Sequence, residues 1–290
     1  MARIEGLIVA TPTPFGEDGR IDFDYVREHL DFLRARGVDG VTPGGTNGEG
    51  PSLSIAERKE LFRTVIEHKG DMLVIAGTGC SSLPETIELT QFAERIGADA
   101  ALVVPPFFFK DVSLRGLVSY YSEVLRSTSL PILLYNIPQF SAVEITPDLL
   151  DRLSDFRNLL GIKDSTGDLG KVEAYCTRFP QLSIYVGADT LLEKTASLRI
   201  SGVISGLANA FPELIRETME QSAKGMGAPM QQKVDRLTDI FSRYPIFASN
   251  KYALALRGLR ETHVRPPLVD LTEDEKRSLE AELRQAGLIS

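Results

Sequence analysis

Short apolar, β-branched runs recur along this chain, each followed by a stretch with helical spacing. They are GLIVATP (6–12), GVDGVTPGG (37–45), MLVIAGTG (72–79), ADAALVVPP (98–106), LPILLYNIP (130–138), NLLGIKDST (158–166), LSIYVGAD (182–189) and GVISGLAN (202–209). Most are continuously apolar rather than alternating, the pattern of strands buried on both faces. Between the first two runs, Val26, Leu30 and Leu33 form one helical stripe within 23–36. Ser54 and Glu57 make a capping box at the head of 54–68. Segments 83–97 and 113–127 behave alike. Strand and helix alternate eight times, and parallel strands need helices as crossovers. Eight repeats favour a closed (β/α)8 TIM barrel over an open doubly wound sheet. After residue 209 the pattern is helical only, over 211–223, 227–243, 247–258 and 273–287. The first of these completes the eighth unit, and the other three form a C-terminal three-helix extension. The chain therefore divides into an α/β barrel over 1–223 and a helical extension over 224–290.

Bulk properties narrow the function classes. A chain of 290 residues is long enough for one such barrel. A formal charge of −8 with no long basic run argues against a nucleic-acid partner. The chain has no apolar run of about 18 residues, so no membrane span is expected. The first residues lack a signal-peptide pattern. Two cysteines, Cys80 and Cys176, exclude a disulfide scaffold and fit a reducing cytoplasm. Cys80 reads as a small packing residue. The three histidines, His29, His68 and His263, are scattered and read as surface or helix residues. No Cys/His cluster has zinc spacing, and the strand ends lack the histidines of a metal-dependent barrel hydrolase.

Barrel chemistry sits at the C-terminal ends of the strands and in the loops after them. The second strand ends in GGTNGEG (44–50), where Gly45, Thr46 and Asn47 form a tight turn. Its backbone N–H groups suit an anionic oxygen, or its glycines serve geometry alone. Glu49 reads as a buried structural carboxylate rather than a base. The fifth strand ends in Tyr135, either a locally satisfied barrel tyrosine or a proton donor and acceptor. The sixth ends in Lys163, the one lysine directly following an apolar run; the others, Lys251 included, lie in helical or loop patterns and look solvated. A lysine at a barrel mouth loses hydration unless paired. Burial disfavours a charged amine, and a neutral amine attacks ketones. An ion pair with Asp164 or Asp168 is the structural alternative. Gly187 and the backbone of Ile204 border the same mouth.

Gly-Thr-x-Gly-Glu after the second strand, Tyr-Asn-x-Pro after the fifth and Gly-x-Lys after the sixth occur together. With them the chain resembles the dihydrodipicolinate synthase / N-acetylneuraminate lyase superfamily, from TPTPF (11–15) to VRPPL (264–268) and the final helix. The resemblance implies a class I aldolase. Lys163 would form a Schiff base with the keto carbon of pyruvate or another 2-oxo acid. The amides of Thr46 and Asn47, with the Thr46 hydroxyl, would hold its carboxylate, and Tyr135 would move protons. The protonated imine is itself the electron sink, so no metal or cofactor is expected. The resemblance also implies a homotetramer built as a dimer of dimers. The aromatic clusters Phe107–Phe109 and Tyr120–Tyr121 either cover a subunit contact or pack inside.

Departures from the family pattern bear on the substrate. Dihydrodipicolinate synthases carry an arginine after Tyr-Asn-x-Pro that binds the second substrate's carboxylate; Phe140 stands there in this chain. They also carry a relay tyrosine after the fourth strand, where this chain has Phe107, Phe108 and Phe109. A phenylalanine neither donates a proton nor holds a carboxylate. GEGPSLS (48–54) and GLANAFPEL (206–214) look more like aldolases for 2-keto-3-deoxy sugar acids such as 2-keto-3-deoxygluconate. The expected reaction is reversible cleavage of such an acid to pyruvate and an aldehyde. Ser141, Ser165, Thr166 and Asp189 are expected to contact the hydroxylated tail. The alternatives are 4-hydroxy-tetrahydrodipicolinate synthase, N-acetylneuraminate lyase, 4-hydroxy-2-oxoglutarate aldolase, a keto-deoxy sugar acid dehydratase, and a non-enzymatic 2-oxo-acid-binding regulator. The phenylalanine-rich loop makes part of the mouth apolar, which also admits a less polar aldehyde.

Overall fold

The computed structural model describes residues 4–289. Eight parallel strands close into a barrel in chain order: β1 (Gly6–Val9), β2 (Gly40–Val41), β3 (Leu73–Gly77), β4 (Ala100–Val103), β5 (Ile132–Asn136), β6 (Leu159–Asp164), β7 (Ser183–Val186) and β8 (Gly202–Ser205). β8 pairs back onto β1, so no edge is left open. Every run marked in the sequence contributes one strand. The first four crossovers are α1 (Phe23–Arg34), α2 (Ile55–His68), α3 (Leu83–Arg95) and α4 (Leu114–Arg126). Then follow α5 (Pro138–Ser141), α6 (Pro147–Leu153), α7 (Leu169–Arg178), α8 (Leu192–Thr195) and α9 (Pro212–Ala223). The C-terminal extension is α10 (Ala228–Phe241), α11 (Ile246–Leu256) and α12 (Glu273–Gln285).

Local signals start the helices where the sequence places them. The Asp22 side chain caps α1 by accepting from Tyr25 N, and the Ser54–Glu57 capping box heads α2. Val26, Leu30 and Leu33 are buried against the barrel. Alternate strand residues divide between two layers. Ile8, Ile75, Leu102, Leu133, Tyr185 and Ile204 fill the barrel interior. Their chain neighbours, such as Val9, Val74, Leu134 and Ile184, pack outward under the helices. Val234 and Phe241 of α10, Leu254 of α11 and Leu279 of α12 join the outward layer around β1 and β2. The extension is thus anchored by apolar burial on the barrel's first half.

One irregularity decides what faces the mouth. The β5–β6 register pairs Ile132 with Leu159 but Leu133 with Gly161, so Leu160 is bulged out. Beyond the bulge Tyr135 lies opposite Lys163. Without it Tyr135 would face Ile162 and Lys163 would turn to the other side of the sheet. Gly161 permits the bulge, with φ of 154°. A β-carbon there would stand 1.9 Å from the Ser183 carbonyl oxygen.

One reading of the sequence changes here, and those left open for His29 and the aromatic clusters are narrowed. Lys251 is not solvated: it is 1% exposed inside α11 and ion-paired to Glu49. His29 lies on a helix but is buried, and burial pulls its pKa down to about 4. Tyr120 and Tyr121 cover no surface; both are buried in the outer layer, the Tyr120 hydroxyl 2.8 Å from Thr86 Oγ1. Phe108 and Phe109 do stand out, 74% and 69% exposed.

Candidate active site

The turn after β2 is held from three sides. Gly44 takes a φ of 69° and Glu49 a left-handed φ of 51°. Glu49 N donates to Thr46 O and Gly50 N to Gly45 O, closing the loop on itself. The buried Arg58 guanidinium donates to the carbonyls of Gly44, Gly77 and Gly79, tying the turn to the end of β3. Glu49 accepts from Lys251 Nζ at 2.5 Å and from Arg265 N at 3.0 Å. Lys251 also donates to the His263 carbonyl. The amides of Thr46 and Asn47 make no hydrogen bond among the described residues. Two fixed, unengaged N–H groups at one corner suit a carboxylate.

Across the mouth stand Tyr135 and Lys163. Their register makes them neighbours on one face, and Lys163 Nζ lies 4.2 Å from the centroid of the Tyr135 ring. Lys163 is 4% exposed and joins no ion pair among the described residues. The structural alternative is thereby set aside. Asp164 points away and accepts from Asn136 Nδ2, Thr166 N and Thr166 Oγ1. Asp168 caps α7 through Gly170 N. The Thr46 hydroxyl donates to the Tyr135 oxygen at 3.4 Å, linking the turn to the tyrosine.

One cavity of about 330 Å³ gathers Gly45, Thr46, Asn47, Tyr135, Lys163, Ser165, Gly187 and Ile204, together with Asp189. Gly187 is there because nothing larger fits: a β-carbon would lie 2.0 Å from Ser165 Oγ and 2.7 Å from Lys163 Cε. Burial pushes Asp189 up to about 6, against donors from Ser205 and the Leu207 amide and the charge of Lys163. Its Oδ1 is buried without a partner. Two other expected tail contacts are not placed for the task. The Ser141 hydroxyl is taken up by Val143 and the Ile137 carbonyl, and Thr166 by Asp164. Both close their own turns, a local use that short hydroxylated side chains favour. The sequence reading passed over Phe247 and Asn250 of α11, which also line this cavity. No strand-end signal marks them, since they arrive from the extension.

The Dihydrodipicolinate synthetase family model matches residues 3–286. The chain belongs to the dihydrodipicolinate synthetase family. Members of this family are pyruvate-dependent Schiff-base lyases, and this chain is a lyase of that kind. It is 39% identical over 295 residues to the 4-hydroxy-tetrahydrodipicolinate synthase of Cereibacter sphaeroides, covering 99% of this chain and 100% of that one. It is 36% identical over 290 residues to an uncharacterized DapA-like lyase of Chloroflexus aurantiacus, covering 97% and 96%. Among solved structures, YagE, a prophage protein of the dihydrodipicolinic acid synthase family from E. coli K12 in complex with pyruvate, superposes with a TM-score of 0.93. The identity is 30%, over 99% of this chain and 100% of that one. The dihydrodipicolinate synthase of Acinetobacter baumannii, complexed with pyruvate, gives a TM-score of 0.92 at 31% identity, covering 99% and 100%. No helix among the described residues is long and apolar enough to cross a membrane.

Proposed function

We propose that this lyase reversibly cleaves a 2-keto-3-deoxy sugar acid, such as 2-keto-3-deoxygluconate, to pyruvate and an aldehyde. The observation that supports the covalent step is a buried Lys163, in no ion pair among the described residues, beside Tyr135 and facing unengaged amides across one mouth; the absence of a further free cation at the mouth among the described residues, below, supports the neutral acceptor. In this reading the amides of Thr46 and Asn47, with the Thr46 hydroxyl, hold the substrate carboxylate. The Lys163 amine attacks C2, and the Tyr135 hydroxyl donates the proton with which the C2 oxygen leaves as water, giving a protonated imine. The C3–C4 bond then breaks, its electron pair flowing into the imine to give an enamine. Tyr135, left as the phenolate by that proton donation, takes the C4 hydroxyl proton as the aldehyde forms. Protonation at C3 and hydrolysis of the imine release pyruvate and restore the amine. Asp189 Oδ1 and Asn47 supply polar partners for a hydroxylated tail in the same cavity.

The relatives' names favour a second reading, 4-hydroxy-tetrahydrodipicolinate synthase. That reaction brings a second carboxylate to the mouth. Phe140, 54% exposed, stands where such synthases place an arginine. Among the described residues, the only cations lining the mouth are Lys163 and Arg58, and Arg58 is spent on backbone carbonyls. A neutral acceptor therefore fits better than a charged one.

Borohydride trapping with pyruvate, followed by peptide mass mapping, tests the covalent step. A reduced pyruvyl adduct on Lys163, absent in Lys163→Ala, is expected; a folded protein that gives none is a 2-oxo-acid binder or less. Cleavage of 2-keto-3-deoxygluconate is then compared with condensation of pyruvate and aspartate semialdehyde. Faster turnover of the semialdehyde transfers the assignment to the synthase. The exposed Phe108 and Phe109 support a homotetramer of this cytoplasmic enzyme, with a subunit contact on that loop. Sedimentation of a monomer at micromolar concentration would remove that part.

A further inference from the structure

We propose that Gln231 of α10 is a positioning residue for the site: it holds the turn after β7 so that the Asp189 carboxyl stands inside the Lys163 cavity. This rests on the lyase reading above and gives that site a support from the C-terminal extension. The turn leaves β7 through Gly187 and enters a short 3-10 segment, Asp189–Leu191. Gly187 N donates to Asp164 O at 2.7 Å, which ties the start of the turn to the end of β6. Ala188, Asp189 and Thr190 then line the same cavity as Lys163. What holds them there comes from outside the barrel.

Gln231 is buried, and its amide makes three hydrogen bonds. Nε2 donates to Asp189 O at 3.0 Å and to Asp235 Oδ1 at 2.9 Å. Oε1 accepts from Glu193 N at 2.9 Å. Two oxygens on one side and an N–H on the other fix which end of the amide is nitrogen. Asp235 lies one turn further along α10, so it orients the amide from the same helix. The other two bonds cross to the barrel, one to the turn and one to an N–H that the first turn of α8 leaves without a helical partner. An apolar side chain supplies neither group. A carboxylate in this place would set acceptor against acceptor at Asp189 O and Asp235 Oδ1.

The Asp189 side chain is held from the other direction by Ser205 and the Leu207 amide, at and just after the end of β8. The residue is thus fixed between β8 and α10. Lys163 is the charged group that acts on its carboxyl, while Glu193 and Asp235 flank Gln231. Without the Gln231 amide, the Asp189 carbonyl and the Glu193 N–H need water, and the turn reaches water by lifting off α10. The carboxyl then leaves its place in the cavity, and hydration favours its charged form. Together with the Lys251–Glu49 pair, Gln231 makes the extension a support for two separate turns of the mouth.

The test follows cleavage of 2-keto-3-deoxygluconate by the parent, Gln231→Met, Asp189→Asn and the double variant. Gln231→Met keeps the reach of the side chain and removes the amide. It should raise KM for the sugar acid about tenfold, since a misplacement of about 1 Å can cost about 100-fold. Borohydride trapping of pyruvate on Lys163 should not change. Gln231→Glu should act in the same sense and serves if the methionine variant does not fold. In the Asp189→Asn background, Gln231→Met should change KM by less than about twofold, because both act through one carboxyl. The bend in the parent's kcat/KM near pH 6, where Asp189 ionises, should move to lower pH in Gln231→Met. Equal losses in both backgrounds, or an absent or unmoved bend, overturn the positioning role and leave the lyase reading standing. A matching loss of pyruvate trapping shows general loosening and overturns it as well. No adduct on Lys163 in the parent, or an adduct without cleavage of the sugar acid, overturns the reading above and this inference with it.

Discussion

Lys251→Met cuts the tie between the C-terminal extension and the turn after β2. In the native chain Lys251 Nζ lies 2.5 Å from Glu49 Oε1, with the two side chains 1% and 0% exposed. Removing the ammonium leaves a buried carboxylate with the Arg265 amide as its remaining donor. Breaking a buried pair from one side costs about 3–5 kcal/mol. The surviving amide bond puts this case at the lower end, about 3 kcal/mol. The chain has no tryptophan, so urea unfolding at pH 7 is best followed by far-UV circular dichroism. The double variant Glu49→Gln, Lys251→Met leaves no charge stranded and should recover more than half of the loss. The turn also carries the Thr46 and Asn47 amides, so KM for pyruvate should rise more than kcat falls. A single variant within about 1 kcal/mol of the parent, the range of an exposed pair, would refute the reasoning.

Three further outcomes follow from the site. Tyr135→Phe should lower kcat by about 100-fold, the scale of a lost general acid–base, while the pyruvate adduct on Lys163 still forms; an unchanged kcat makes Tyr135 structural. Gly161→Ala drives a methyl into the Ser183 carbonyl. It should displace Lys163 from Tyr135 and remove borohydride-trappable pyruvate; full trapping would mean that the bulge tolerates a side chain. Burial raises Asp189 from 3.8 to about 6, so the folded chain binds more protons than the unfolded one between those values. Its contribution to stability is therefore lost as pH rises from about 4 to about 6, then levels. His29, pulled down to about 4, acts in the opposite sense up to about 6.5. The difference in Tm between the parent and Asp189→Asn, measured from pH 4 to 7, cancels the histidine. That difference should grow in the variant's favour up to about pH 6; a flat difference would show that Asp189 is not held protonated.

The eightfold alternation was legible because strands buried on both faces must be continuously apolar, while their crossovers need one apolar stripe. The candidate site was legible at strand ends, where a polar residue breaks an apolar run, as with Tyr135 and Lys163. Lys251 was not legible. Its helix offers no strand end, and its burial depends on a carboxylate some two hundred positions away. Phe247 was hidden for the same reason, since it reaches the cavity from the extension and a cavity belongs to no single segment.

Taken alone, the residue pattern determined the barrel, because periodicity is local and burial follows from it. It also determined the lysine, the tyrosine and the glycine turn as residue types in the right loops. What only the tertiary structure decided is which of them meet. The bulge at Leu160 changes the facing of every later residue in β6, and so brings Lys163 alongside Tyr135. Closure of β8 onto β1 brings Ile204 and Gly187 to the same mouth as the turn after β2. The extension then folds back to fix that turn through one buried ion pair. Each of these is a long-range pairing, set by register and packing between distant segments, and no short-range pattern records it.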